Sequence, residues 1–337
     1  RALCHEDPRP AAGALVMAKR YTSTREPDAR VVNEALIALS VVELRELIGD
    51  MLPKLDERSR VDIVNRLIER AVRSDSTWTP AQPSAEAATL VVAFAKAARL
   101  VGHADPADVD KYLQQGSNAF LGNDYATAMQ IFSALLLPIA EVEIDLGQHE
   151  TVDEVLGSDI AACAAQYVVS VYMTSPPDQR GLAVRDAIEL LRDIGAFHEP
   201  LREMERVAVV ALPEYDEFLK NWRGLIEEEP SMRRHGWDED RSSWLRDVVQ
   251  RTEGSTGLAG IARSTHRHDA LWAWCRALFE AKDWQAALPA YDEAASLADR
   301  PYFRGVFLDG AALAAQELGR RDLPARLERA WREAPSE

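Results

Sequence analysis

The sequence predicts an all-α protein built from a succession of helix hairpins. Three observations carry this expectation. Apolar residues recur at three- and four-residue steps in one segment after another, the spacing of a single helix face. Caps and prolines that start helices, and glycines that stop them, punctuate the chain at short intervals. No alternating β-branched run of strand length interrupts the pattern, which amounts to about 17 or 18 helices and essentially no strand, well outside mixed composition.

The segments justify themselves in order. "SVVELRELIGDML" opens on Ser40 with Glu43 three residues on, the spacing of a capping box, and Leu44, Leu47, Ile48, Met51 and Leu52 make one apolar face. "SRVDIVNRLIERAV" repeats the design, with Ser59 as the expected cap and Val61, Val64, Leu67, Ile68 and Ala71 as its stripe. The two are expected to pair across "PKLDER". "SDSTWTPAQPS" (74–84), with two prolines and several hydroxyls, reads as a linker. A helix over 85–101 follows, then "ADPADVD", where Asp105 caps, Pro106 takes the first helical position and Asp108 the first turn. Later starts are expected at Asp124, Ser158, Pro177, Pro200 and Pro213, and stops at Gly195 and Gly319. "RVAVVAL" (206–212) is the nearest thing to a strand, but the pattern from Pro200 favours a helix ending near Pro213. The segments 226–243 and 252–260 read as loops, the first as a hinge. The expected blocks are 1–73, a central block 85–228 and a C-terminal block 239–337.

Composition narrows the function classes. The chain is 47% hydrophobic and 28% charged, an ordinary globular balance. It carries 55 acidic and 39 basic residues, a net charge of −16. That balance opposes direct nucleic-acid binding, which needs a basic footprint to displace counterions. It fits a well-solvated cytosolic protein of bacterial type. Cys4, Cys163 and Cys275 are far apart, with no CxxC, so no disulfide framework or Cys-rich zinc site is expected, and a reducing, cytoplasmic compartment fits. Cys163 and Cys275 sit in apolar helical contexts and read as small core residues. The most apolar stretch, "EAATLVVAFAKAARLV", is broken by Lys96, so no membrane span is expected.

Two stretches share a design. "NDYATAMQIFSALLLPIA" (123–140) and "KDWQAALPAYDEAASLADRP" (282–301) each place a polar residue, Asp and an aromatic at a turn, then Ala, then a second aromatic four residues later. A helix hairpin needs small residues where its helices cross and large ones beside them. In 268–299, Leu271, Trp274, Cys275 and Leu278 fall on one helix and Ala287, Tyr291 and Ala294 on the next. In 109–140, Gly116 takes the small position, Asp124 and Tyr125 the turn, then Ala128 and Phe132, although Leu135 departs from the small residue expected there. A weaker copy runs over 305–335, with Ala312 small, Gly319 at the turn and Pro324 where Ala is expected. These copies resemble the tetratricopeptide repeat, whose period is ~34 residues. The order of segments is also faintly similar to the helical region of some bacterial SWIM-type zinc-finger proteins. The finger itself is absent, so zinc and nucleic-acid contact do not carry over.

The first resemblance implies an α-solenoid with a concave groove that takes a protein or peptide. It also implies that Asp269, Trp272, Arg276, Phe279 and Glu280 face that groove, with Asp309 and Glu317 lining it from the next hairpin. Trp and Arg are enriched where partners bind. Trp272 and Phe279 could equally pack on the helix at 256–264 or on the 226–243 loop. No phosphate-binding, dinucleotide, nucleophile-elbow or HExxH motif occurs, and the glycines of "GSTGLAGIA" follow no strand. "STHRHDALW" holds His266, His268 and Asp269, which could ligate a divalent metal or merely cap and solvate a helix start. Asp238, Glu239 and Asp240 read as a solvated helix N-terminus. The leading expectation is therefore a non-enzymatic interaction scaffold without a cofactor. A helical accessory domain in a nucleic-acid-linked pathway, or a metal-dependent enzyme using His266, His268 and Asp269, are the alternatives.

Overall fold

The computed structural model describes residues 29–74, 77–84, 86–149, 151–195, 197–228 and 237–333. Cys4, His235 and the middle of the 226–243 segment lie outside them. The described residues form fifteen α-helices, two short 3-10 turns and no strand; the one β-type contact is an isolated bridge between His103 and Asp145. Among them no helix is long and apolar enough to cross a membrane. The chain divides into two compact units, 1–55 and 56–337.

The first unit contains α1 (Ala29–Ala38) and α2 (Val41–Met51). α2 starts as its sequence dictates. The Ser40 hydroxyl accepts from Glu43 N–H, and the Glu43 carboxylate accepts from Ser40 N–H at 2.8 Å. Val41, Val42, Leu47, Ile48 and Met51 are exposed, and α2 buries no residue.

The second unit begins with α3 (Glu57–Arg73). Its cap is Asp56 rather than Ser59: the Asp56 carboxylate accepts both the backbone N–H of Ser59, at 2.9 Å, and its hydroxyl. Ser59 is thus capped, not capping. The pairing expected across "PKLDER" falls on the boundary between the two units. Then come α4 (Ala87–Val101), α5 (Pro106–Leu121), α6 (Tyr125–Ala140), α7 (Ile160–Thr174), α8 (Arg180–Leu190), α9 (Pro200–Val207) and α10 (Tyr215–Glu228). Asp105 and Pro106 start α5 as expected. α7 is capped by Asp159, because the neighbouring Ser158 is buried with its N–H on Asp110. α7 is apolar on nearly every side and buries Cys163 through Tyr172 continuously, which makes it the centre around which α5, α6, α8 and α9 pack. α8 starts at Arg180, three residues after the expected Pro177, and ends before Gly195. α9 ends at Val207, well short of Pro213. The intervening chain leaves the helix to bring the Pro213 carbonyl to the Tyr172 hydroxyl at 2.6 Å and to the buried Arg180 at 3.1 Å.

The C-terminal helices are α11 (Trp237–Thr265), α12 (His268–Glu280), α13 (Trp284–Leu297), α14 (Pro301–Glu317) and α15 (Leu323–Glu333). Residues 252–260, expected as a loop, lie inside α11. The helix is nonetheless broken within them: Gly254 has φ 64° and ψ −152°, a conformation that only glycine adopts readily. Gly257 then comes so close to Val249 that a Cβ would lie 2.5 Å from Val249 Cγ1. α11 is therefore two helical segments, 237–253 and 255–265, sharply bent on each other.

Three turns share one geometry. After α5, Asn123 is left-handed (φ 65°), Asn123 N–H donates to Phe120 O and Asp124 N–H to Ala119 O at 2.9 Å. After α12, Lys282 (φ 55°) and Asp283 do the same to Phe279 and Leu278, and after α14, Gly319 (φ 61°) and Arg320 to Gln316 and Ala315. Each closes its helix by a Schellman pair, which satisfies carbonyls the helix would leave open. In the first two, Asp caps the next helix at once, accepting from Thr127 N–H and Ala286 N–H at 3.1 Å.

The buried apolar residues of the second unit form two clusters. One runs from Ala88 to Val249 and the other from Leu258 to Ala330. Cys163 lies in the first and Cys275 in the second. Burial pushes both thiols up to about 12, so neither is a ready thiolate.

Candidate functional site

A cleft of about 690 Å³ lies between the first segment of α11, the start of α9 and α12. α12 contributes Asp269, Trp272, Arg276 and Glu280, which recur at three and four residues and so share one helix face, with His268 beside them one turn before Trp272. α11 contributes Arg246, Asp247 and Arg251 from the opposite wall, and α9 places Arg202 at the rim.

The walls are charged but internally matched. Arg246 reaches across to Asp269 at 2.5 Å, and Arg267 holds the same carboxylate at 3.1 Å. Partial burial works against the Asp269 carboxylate, but the hydrogen bond from Arg267 and the nearby charge of Arg246 prevail and hold it below the usual carboxylate range. Arg251 binds Asp247 at 2.8 Å and also Glu205. Asp247 is more buried, and that burial raises its pKa against the opposing pull of Arg251. Arg276 pairs with Glu280 at 2.6 Å on the open side, where both side chains are largely in water. Such a pair is worth little and is easily exchanged for another partner.

Of the seven residues expected to face a groove, the cleft collects Asp269, Trp272, Arg276 and Glu280. Trp272 is 39% exposed, and its ring lies 6.4 Å from the buried Phe307. Phe279 is 38% exposed but turns to Trp284, edge-on at 5.1 Å, and does not line the cleft. Asp309 and Glu317, on α14, are exposed and also lie outside its lining. The Trp272 ring also lies 6.5 Å from that of His268; the other packing expected for it, on the 226–243 loop, falls in part outside the described residues.

His266, His268 and Asp269 do not converge. His266 is left-handed (φ 52°) and exposed. His268 stacks on Phe303 with centroids 3.7 Å apart, and its burial lowers its pKa, opposed by Asp269. Asp269 is taken by arginines. Among the described residues no group of three or more His, Cys, Asp or Glu is arranged to hold a metal ion. Asp240 is engaged as well: it holds Arg192 at 3.1 Å and His198 at 3.3 Å.

The wall built from Arg246, Asp247 and Arg251 had no signal in the sequence. It faces α12 only because α11 bends at Gly254, in a stretch whose glycines read as a loop. No family model, curated protein or solved structure matches the chain.

Proposed function

We propose that the chain is a non-enzymatic scaffold, a tetratricopeptide-like α-solenoid that binds a peptide or protein in the cleft between α11 and α12. The observation that carries the reading is Trp272: a large indole left 39% exposed on the wall of a cleft, one turn from Arg276. Indole and guanidinium combine contact area with directed polar contact, which is why they dominate binding energy at interfaces. The Arg276–Glu280 pair leaves the guanidinium open to exchange.

The solenoid part of the reading is supported by the repeated turn and by close crossings of the predicted small residues. A Cβ on Gly116 would lie 2.8 Å from Phe132 Cε1, and Ala128, Ala287 and Ala294 have no exposed surface. The test is selection of peptides from a displayed random library against the full chain, followed by affinity measurement on Trp272→Ala and Arg276→Ala. The expected result is an enriched peptide whose affinity falls about tenfold or more in Trp272→Ala at unchanged melting temperature. Peptides that bind both variants as they bind the parent would refute the assignment.

A further inference from the structure

We infer that Gly254 is a hinge, and that the ion pair between Arg246 and Asp269 is the latch that sets how far the cleft opens. Each helical segment of α11 is pinned to its own side. Trp244, Val248 and Val249 belong to the central core, while Leu258, Ala259 and Ala262 belong to the C-terminal core. Upstream of the bend, Glu253 is held by Arg223 of α10. Downstream, Arg263 binds Glu293 of α13 through two hydrogen bonds, at 2.6 and 2.8 Å, and lies over the Trp274 ring at 5.0 Å. Bending is thereby concentrated on the residue between them.

That residue can absorb it. Without a side chain Gly254 tolerates both its present conformation and helical ones, where any other residue would be confined to the latter. Gly257 presents bare backbone to Val249, and the partly buried Ile261 packs against both cores. Hinges are commonly a few such residues between bodies that keep their own packing. Across the cleft, Arg246 on one body grips Asp269 on the other. The pair is only partly buried, so salt and charge removal weaken it. The inference concerns the chain by itself and holds whether or not a peptide occupies the cleft.

The experiment is double electron–electron resonance on the full chain, with nitroxides on Glu189→Cys and Gln316→Cys, both exposed positions on opposite bodies. Cys4→Ser removes one native thiol; the buried Cys163 and Cys275 are poor targets. Asp269→Asn and, separately, high salt are expected to broaden the distance distribution and move it to longer distances. A second label pair inside the C-terminal body, Gln285→Cys with Gln316→Cys, is expected to stay narrow throughout. Gly254→Ala, where it folds, is expected to give a different mean and no response to salt. An interbody distribution that is the same in the parent, in Asp269→Asn and in high salt overturns the inference, whatever its width.

Discussion

The two cores on either side of Gly254 solve the packing problem differently. The central core is filled with large side chains: Trp222, Tyr172, Phe120, Phe132, Ile131, Leu135 and Leu136 are fully buried, and aromatic rings form a chain from Tyr172 through Phe218 and Trp222 to Trp244. More than half of the C-terminal core is alanine. There the helices approach closely enough that a Cβ on Gly310 would fall 2.2 Å from the Tyr291 ring. The first region gains stability from buried area per residue, the second from close helix approach and from many small contacts. One should fail by cavities and the other by overfilling.

The largest expected effect is in the central core. Trp222→Ala removes a fully buried indole stacked on Phe218 and tilted against Trp244 and should cost about 3–5 kcal/mol in urea unfolding. Trp222→Phe should cost clearly less, because Trp222 Nε1 is buried with no hydrogen-bond partner among the described residues, and its loss removes a penalty. In the C-terminal core the damaging change runs the other way. Ala287 has no exposed surface, and Ala287→Leu should overpack α13 against α12 and cost about 1–3 kcal/mol. Equal thermal unfolding of parent and variant would mean that the repeat register is misassigned.

A third pair of changes treats both regions alike. Asp124→Ala and Asp283→Ala each remove a side-chain acceptor from an N–H three residues on, at the same distance. Each should cost about 1 kcal/mol, and unequal losses would show that the shared turn is not energetically shared.

These turns explain what could be read beforehand. Caps and turns are local, so Ser40, Asp105, Asp124, Asp283 and Gly319 announced themselves. The helix stripes did too, since their period is set within each helix. What escaped reading depended on long-range pairing. Asp110 takes the N–H of Ser158 and so leaves capping to Asp159; Tyr172 and Arg180 draw the Pro213 carbonyl out of helix; and Gly254 bends a helix that its glycine-rich neighbours disguised as a loop. The candidate site divides in the same way. The spacing of Asp269, Trp272, Arg276 and Glu280 sets them on one face of α12, but that they face a groove was only what the repeat resemblance implied, and the α11 wall opposite them had no local signal.

The smallest effect concerns pH and the joint. His268 is partly buried against Phe303, which favours the neutral ring. Its lowered pKa means that its share of stability is whole above about pH 6.5 and declines as pH falls below that value. Asp269 and Glu293, with pKa values lowered below the ordinary carboxylate range, contribute stability that is present above that range and is lost as pH falls through their folded values. Unfolding between these limits should therefore show a pH slope that His268→Phe reduces. An unchanged slope would place the titrating group elsewhere.

The most direct test of the two-core account is hydrogen exchange by mass spectrometry in rising denaturant, read separately over 86–253 and 255–333. Two protection isotherms are expected, with Trp222→Ala shifting the first and Ala287→Leu shifting the second. One common isotherm, displaced equally in both variants, would contradict it.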